Sequence, residues 1–245
     1  TAASISLGCT AGEQAGCARF DGTAGEFVHA VVPAGTLGAI DGVGFTLEAW
    51  VRVESDADGL VVCKGEPNAK SSFGMAVMSP KAPAETAVVA PPSTAIAAYA
   101  GGLAGGARVE VTCELGAWVH IAAAYDARAA TLSVYKDGAL VGEAPCAASC
   151  EAFAANSDVF IGGHPRDGAS VVGEVDEVRL WAGAQSGALI KGVLHTAKGT
   201  QQASAGLIGW WTFLEVRGER CFDTSGSGAH ATLEGGAARA PSSRG

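Results

Sequence analysis

The chain has little of what most catalytic and nucleic-acid-binding proteins need. Its five histidines, at 29, 120, 164, 195 and 230, are scattered with no two at metal-ligand spacing, and its seven cysteines form no CxxC pair, so a zinc site is not indicated. Lys and Arg number 16 against 25 Asp and Glu, for a net charge of −9, and no basic cluster exceeds two residues. Phosphate backbones would be repelled, which excludes nucleic acid as a partner class. The longest weakly apolar stretch, 86–107, is broken by Pro91-Pro92 and by glycines, so it falls short of the roughly 20 apolar residues of a spanning helix, and membrane insertion is not expected. Serine and cysteine lack a nucleophile elbow or an adjacent base, leaving acyl transfer without support.

Turns and alternation are what the chain does have. Apolar residues make up 48% of it and glycines number 35, a balance that suits an all-β core joined by tight turns. The stretch 118–141 alternates apolar and polar residues around Asp126 and around Asp137-Gly138. It reads as three antiparallel strands, because an Asp can bond backbone two residues on and Asp-Gly supplies the positive φ angles of a two-residue hairpin. In 45–53, Phe45, Leu47, Ala49, Val51 and Val53 fall on one strand face and Thr46, Glu48, Trp50 and Arg52 on the other. Further strands are predicted near 59–64, 72–78, 173–181, 207–214 and 229–233, with strand-like ends and a Gly-rich middle across 95–111. One helix is predicted over 186–198, capped by Ser186, with Leu189, Ile190, Val193 and Leu194 sharing a face.

In order along the chain, Phe-Thr-Leu-Glu-Ala-Trp-Val at 45–51, Trp-Val-His-Ile-Ala-Ala-Ala-Tyr-Asp at 118–126, Ile-Gly-Gly at 161–163, Gly-Glu-Val-Asp-Glu-Val-Arg-Leu-Trp at 173–181 and Gly-Trp-Trp at 209–211 resemble laminin G-like and pentraxin-like domains of the concanavalin A-like lectin/glucanase superfamily. The resemblance implies a two-sheet antiparallel jelly-roll sandwich with one short helix over 17–234. It leaves 1–16 as an N-terminal segment with a candidate edge strand, and 235–245 as a flexible tail. Pentraxins join the equivalents of Ala49 and Ala122 by a disulfide; here the resemblance implies small apolar packing instead. Trp118, Trp181 and one of Trp210 and Trp211 are expected to be structural.

Function is expected at the edges of such a fold. The first reading is a non-catalytic module that recognises a glycan or protein surface through rim loops; the alternative is a structural subunit docking into a larger assembly through the small residues of 79–106. Trp50, flanked by Glu48 and Arg52, is the candidate ring on which a sugar could stack. Calcium is a candidate cofactor, since loops supply the six to eight oxygens it takes. The resemblance implies one site from Glu66, Asn68 and Asp167, and a second from Asp21, Asp223 and Asp176, while each of these residues could instead bond local backbone in a turn.

Glu174-Val-Asp176-Glu177 looks like the acid pair of a jelly-roll glycoside hydrolase. Strict alternation argues against it, because Glu174 and Asp176 share a face, the next position on that face is Val178, and Glu177 points away, toward a pairing with Arg179. No enzyme is expected. Cys146 and Cys150 are close enough to close a small disulfide ring, which would place the protein in an oxidising compartment: secreted, at a cell surface or in an organelle lumen. The alternative is a set of buried reduced thiols.

Overall fold

The computed structural model describes residues 16–79, 92–148, 150–155, 157–166, 170–194 and 205–244. In chain order the strands are β1 (Gly16–Asp21), β2 (Phe27–Ala30), β3 (Gly44–Val53), β4 (Gly59–Lys64), β5 (Phe73–Met78), β6 (Ser93–Ala100), β7 (Ala107–Glu114), β8 (Trp118–Asp126), β9 (Thr131–Lys136), β10 (Ala139–Pro145), β11 (Val159–Ile161), β12 (Val172–Ala182), β13 (Leu207–Trp211), β14 (Arg220–Cys221), β15 (Ala231–Glu234) and β16 (Ala238–Pro241). Two short helices, α1 (Cys150–Ala154) and α2 (Gly187–Val193), and a 3-10 turn over Thr36–Ile40 complete the set.

The strands form two antiparallel sheets of eight. The first runs β10-β9-β8-β3-β12-β1-β16, with β13 also on β12; the second runs β14-β15-β2-β11-β4-β5-β6-β7. Alternation decides which side of each strand enters the sandwich. Phe45, Leu47, Ala49, Val51 and Val53 of β3 all lie in the common core, opposite Val28, Val62, Met75, Ile96 and Ile161 from the second sheet. One end of the core is an aromatic knot in which Phe45 stacks on Phe73 with centroids 3.7 Å apart, and Phe153 of α1 meets both rings edge-on.

Local signals act as their chemistry requires. Asp137 and Gly138 both take positive φ in the β9-β10 turn, Asp126 accepts the backbone N–H groups of Arg128 and Ala129, and the Ser186 hydroxyl accepts from Leu189 N–H to cap α2. Gly162, after β11, is required for a different reason: a Cβ there would lie 2.1 Å from the Phe20 ring.

The strand-like ends and Gly-rich middle expected across 95–111 are β6, the turn after it and β7, both strands full members of the second sheet, while 80–91 lie outside the described residues. Several other expectations give way. The supposed tail contributes β16, which pairs with β1 from Gly16 to Arg19. Ala49 pairs with Ile121 toward the core whereas Ala122 pairs with Glu48 on the opposite face, so the two alanines do not pack on each other. Trp181 and Trp210 form a small cluster with Leu207 apart from the main core, and only Trp211 enters it.

The predicted disulfide falls partly outside the described residues. Among the described residues Cys113, Cys146 and Cys221 are free and buried, and Cys17 and Cys63 are buried as well. Cys146 is turned inward, its thiol pointing at the Ala100 carbonyl 3.8 Å away, and the side chain of Cys150 lies outside the described residues. Burial pushes the Cys113 and Cys221 thiols up to about 11, far from the thiolate needed for exchange. We predict that Ellman's reagent labels none of Cys113, Cys146 and Cys221 in the folded protein and at least three thiols after denaturation without reductant; a folded-state reaction at Cys146 would contradict the packing.

Candidate functional site

The sandwich has two outer faces, and their fates differ. On the first sheet, β12 carries a bulge between Asp176 and Arg179 opposite β3. The extra residue, Glu177, adopts φ 52, a left-handed conformation that side chains rarely take. The bulge resets the alternation, so Asp176 and Glu177 both point outward, contrary to the strict two-residue rule that sent Glu177 to the other side. Glu174, Asp176, Glu177 and Glu48 thus share one face.

Every one of these acids is committed to a cation. Arg179, about 1% exposed, pairs with Glu177 and lies 3.6 Å from Glu48. Glu48 also accepts Trp181 Nε1–H at 3.0 Å and faces His120 Nε2 at 3.3 Å. Burial alone would raise its pKa; His120, Arg179 and Trp181 outweigh that and hold it below the usual carboxylate range. Glu177 accepts Trp210 Nε1–H, and Arg179 stacks over the Trp210 ring. Glu174 is clasped by Arg19 at 2.9 Å and Arg52 at 3.0 Å. Asp176 is fully buried with Arg244 at 3.7 Å.

The expected sugar platform lies in this layer. Trp50 is half-buried beneath the guanidinium of Arg244, 4.8 Å from its ring centre, and Trp118 Nε1 donates to Ser243. Arg52 is bound to Glu54 and Glu174, and Glu48 is about 1% exposed. Trp50, Glu48 and Arg52 are thus each engaged by neighbouring side chains rather than laid out as one exposed platform, and Glu48 and Trp181 line a cavity of about 200 Å³ with Gln185, Leu189 and Ile190.

Nor do the terminal aspartates come together. Asp21 pairs with Val172, four residues before Asp176, which places them about 13 Å apart along the strand. Asp223 bridges to Trp211 on the far side of the bulge. Its carboxylate accepts from the Trp210, Ser225, Gly228 and Ala229 backbone N–H groups and from the Ser225 and Ser227 hydroxyls. Burial opposes its charge, but these bonds prevail and lower its pKa. Asp223 is a turn organiser with its oxygens already occupied.

The rim candidates are differently placed. The loops after β4 and β11 meet where Arg166 donates to Glu66 at 2.7 Å, with His164 3.9 Å from the same carboxylate. Asn68 is exposed on that loop, and Asp167 lies outside the described residues. A guanidinium sits where a cation would bind Glu66, and among the described residues no group of three or more His, Cys, Asp and Glu could hold a metal. Among the described residues, Glu66 and Asn68 therefore form no calcium site.

Half of the second sheet's outer face is open. A single register line crosses all eight strands: Arg220, Thr232, His29, Phe160, Cys63, Gly74, Tyr99 and Arg108. Over β4 to β6 the line is buried, with Leu103 packed against Cys63 and Tyr99. The loop leading there is fixed by Lys64 Nζ on the Ser71 carbonyl and Ser72 Oγ on the Pro67 carbonyl. Burial pulls the Lys64 ammonium down to about 8.

From β14 to β11 the line is uncovered. His29 and Phe160 stack 5.0 Å apart, flanked edge-on by Phe27 and His164. Beside them an open groove of about 400 Å³ is lined by Val32, Ala34, Glu66, Ser157, Asp158 and Phe160. Asp158 is oriented by His29 Nε2 at 2.8 Å and by Val32 N–H at 3.2 Å. Fixed carboxylates and a hydroxyl beside an aromatic edge can accept hydrogen bonds from a polyol while covering its apolar side.

Sequence reasoning missed His29, Ser157, Asp158, Phe160, Arg220 and His230 as site residues. The outward position of Phe160 was readable from the Val-Phe-Ile alternation, but its neighbours depend on pairings between segments more than 100 residues apart in sequence.

A family model described as the concanavalin A-like lectin/glucanases superfamily, laminin G-like, matches residues 21–191. The chain belongs to that family. Solved structures show the same fold at low identity. A Bacteroides ovatus protein proposed to bind carbohydrate aligns with a TM-score of 0.63 at 17% identity, over 94% of this chain and 60% of its own. The heptameric SAP-like pentraxin of Limulus polyphemus gives 0.63 at 14%, over 96% and 98%. The CBM40 of a Ruminococcus gnavus sialidase gives 0.50 at 12%, over 74% and 97%. This chain thus spans 60% of the length of the Bacteroides protein. A search of curated proteins finds no significant match.

Removing Asp223 leaves several buried donors without an acceptor, so Asp223→Ala is expected to lower stability by about 3 kcal/mol. Because its pKa is depressed on folding, this contribution is present above the unfolded carboxylate range and is lost as pH falls through the folded value. Thermal melts of wild type and variant from pH 7 to pH 3 should converge at the acid end, and calcium should leave the difference unchanged. A calcium-dependent difference would restore Asp223 as a metal ligand.

Proposed function

We propose that this chain is a non-catalytic recognition module that binds a saccharide in the groove over β2 and β11. The observation that carries this reading is the pairing of Phe160 and His29 on the uncovered half of the second sheet with the oriented carboxylates of Asp158 and Glu66 at its rim. The ion pairs that engage the acids and Trp50 of the first sheet favour recognition by the second. The carbohydrate binding proposed for the Bacteroides ovatus protein of the same fold is consistent with it.

In this reading the protein supplies acceptors for sugar hydroxyls, and calcium is not required because Arg166 neutralises Glu66. The groove meets its ligand where glycans are displayed, outside a cell or in an organelle lumen. The assay is calorimetric titration with oligosaccharides selected on a glycan array, in calcium and in EDTA. Glu66→Ala, at a half-exposed side chain, should weaken binding at least fivefold with a melting temperature within about 2 °C of wild type, since an exposed ion pair contributes little. Binding that is unaffected by Glu66→Ala, or an array without hits, would contradict the proposal.

A further inference from the structure

A second groove adjoins the first across a single extended segment. Val32 and Ala34 line the groove at Phe160, whereas Val31 and Pro33 line a neighbouring one of about 370 Å³ with Arg220, Gly228, His230, Ala231 and Thr232. The segment between them is pinned on both sides, by Val32 N–H on the Asp158 carboxylate and by Val31 N–H on the His230 carbonyl. The two grooves are therefore fixed relative to each other and can hold adjacent units of one ligand.

Their chemistry is opposite. The first presents carboxylates; none of the residues lining the second is an acid. Arg220 is exposed, and its guanidinium lies over the Phe222 ring at 5.3 Å, which orients it. His230 accepts the Asp223 backbone N–H at Nδ1, 3.2 Å away, so its neutral ring carries the proton on Nε2 and is a donor there. Phe222 meets His230 edge-on at 5.5 Å and is itself 48% exposed. Asp223, pinned by its own network, thus positions a donor for the groove. In a chain of net charge −9, a pocket offering a guanidinium, an imidazole N–H and the Thr232 hydroxyl beside a half-exposed ring is a local exception.

We infer that the Arg220–His230 groove receives the carboxylate of an acidic sugar whose neutral neighbour occupies the Glu66–Asp158 groove. This assignment rests on the saccharide-binding reading above and narrows it to anionic saccharides, either uronates or sialates. A planar guanidinium and a carboxylate form paired, charge-assisted bonds, which neutral hydroxymethyl groups cannot match.

The experiment compares matched ligands by calorimetry at low and at physiological salt: sialyllactose against lactose, and a glucuronate-terminated disaccharide against its glucose-terminated counterpart. Wild type should bind the acidic member of at least one pair about tenfold more tightly, with the preference shrinking as salt rises. The pair that shows it identifies sialate or uronate as the source of the carboxylate. Arg220→Ala, at an exposed position, should abolish the preference and leave neutral-sugar affinity unchanged, and Arg220→Glu should reverse it. Glu66→Ala should weaken acidic and neutral members together. Equal affinity of wild type for both members, or an Arg220→Ala loss that falls equally on both, overturns the acidic assignment while saccharide binding stands. Absence of binding to any of the four overturns both.

Discussion

The buried guanidinium of Arg179 is the constraint on which the arrangement depends. An arginine about 1% exposed is tolerable only if its charge is met at close range, and here Glu177 and Glu48 meet it from the same strand and from the neighbouring one. Glu177 reaches it because β12 bulges, at the cost of one left-handed residue. The same bulge divides the free edge of β12, so that β1 pairs with its first half and β13 with its second. Trp181 and Trp210 then close over the ions through their indole N–H groups. Removing one partner would leave an uncompensated charge, which in such settings costs about 3 to 5 kcal/mol. The network thus holds the bulged strand in place with residues of the kind an enzyme would use.

With the acids and Trp50 of the first sheet engaged in this way, the proposed recognition falls on the second. There the alternating residues across one register line change character midway. Small or buried side chains at Cys63, Gly74 and Tyr99 lie beneath the loops, and half-exposed rings and polar groups at Phe160, His29, Thr232 and Arg220 face solvent. The short strands β11 and β2 bring loops of different charge to the same rim. Glu66 and Asp158 gather on one side of residues 31–34, and Arg220 and His230 on the other. A rigid sandwich offers such loops a fixed spacing, which binding of an extended, hydroxyl-rich ligand requires.

The fold was largely legible because two-residue alternation and turn chemistry are local. β3, β8, β9 and β12 lie where the pattern puts them, and Asp126, Asp137-Gly138 and Ser186 act as read. The site was much less legible. Register between strands is a long-range property, so nothing in the sequence near Phe160 announced His29 or Asp158 as its neighbours. Bulges also break the alternation rule on which facing is judged, which is why Glu177 was assigned to the wrong side. Trp50 had the right surroundings for a platform, but its cover comes from Arg244, almost 200 residues later. The thiols were no easier to read: spacing between Cys146 and Cys150 says nothing about which way a side chain turns. Likewise 238–241, short and poor in large apolar residues, looked like a tail because its partner β1 lies at the other end of the chain.

The central claim is that the uncovered half of the second sheet, and not the charged face of the first, is where this protein meets its ligand. Amide chemical-shift mapping during titration with a bound oligosaccharide locates the contact directly. Perturbations concentrated at residues 29–34, 65–66, 157–160 and 228–232 are the predicted result. Perturbations centred on Glu48, Trp50, His120 and Asp176 would contradict it, because they would place the ligand on the charged face of the first sheet.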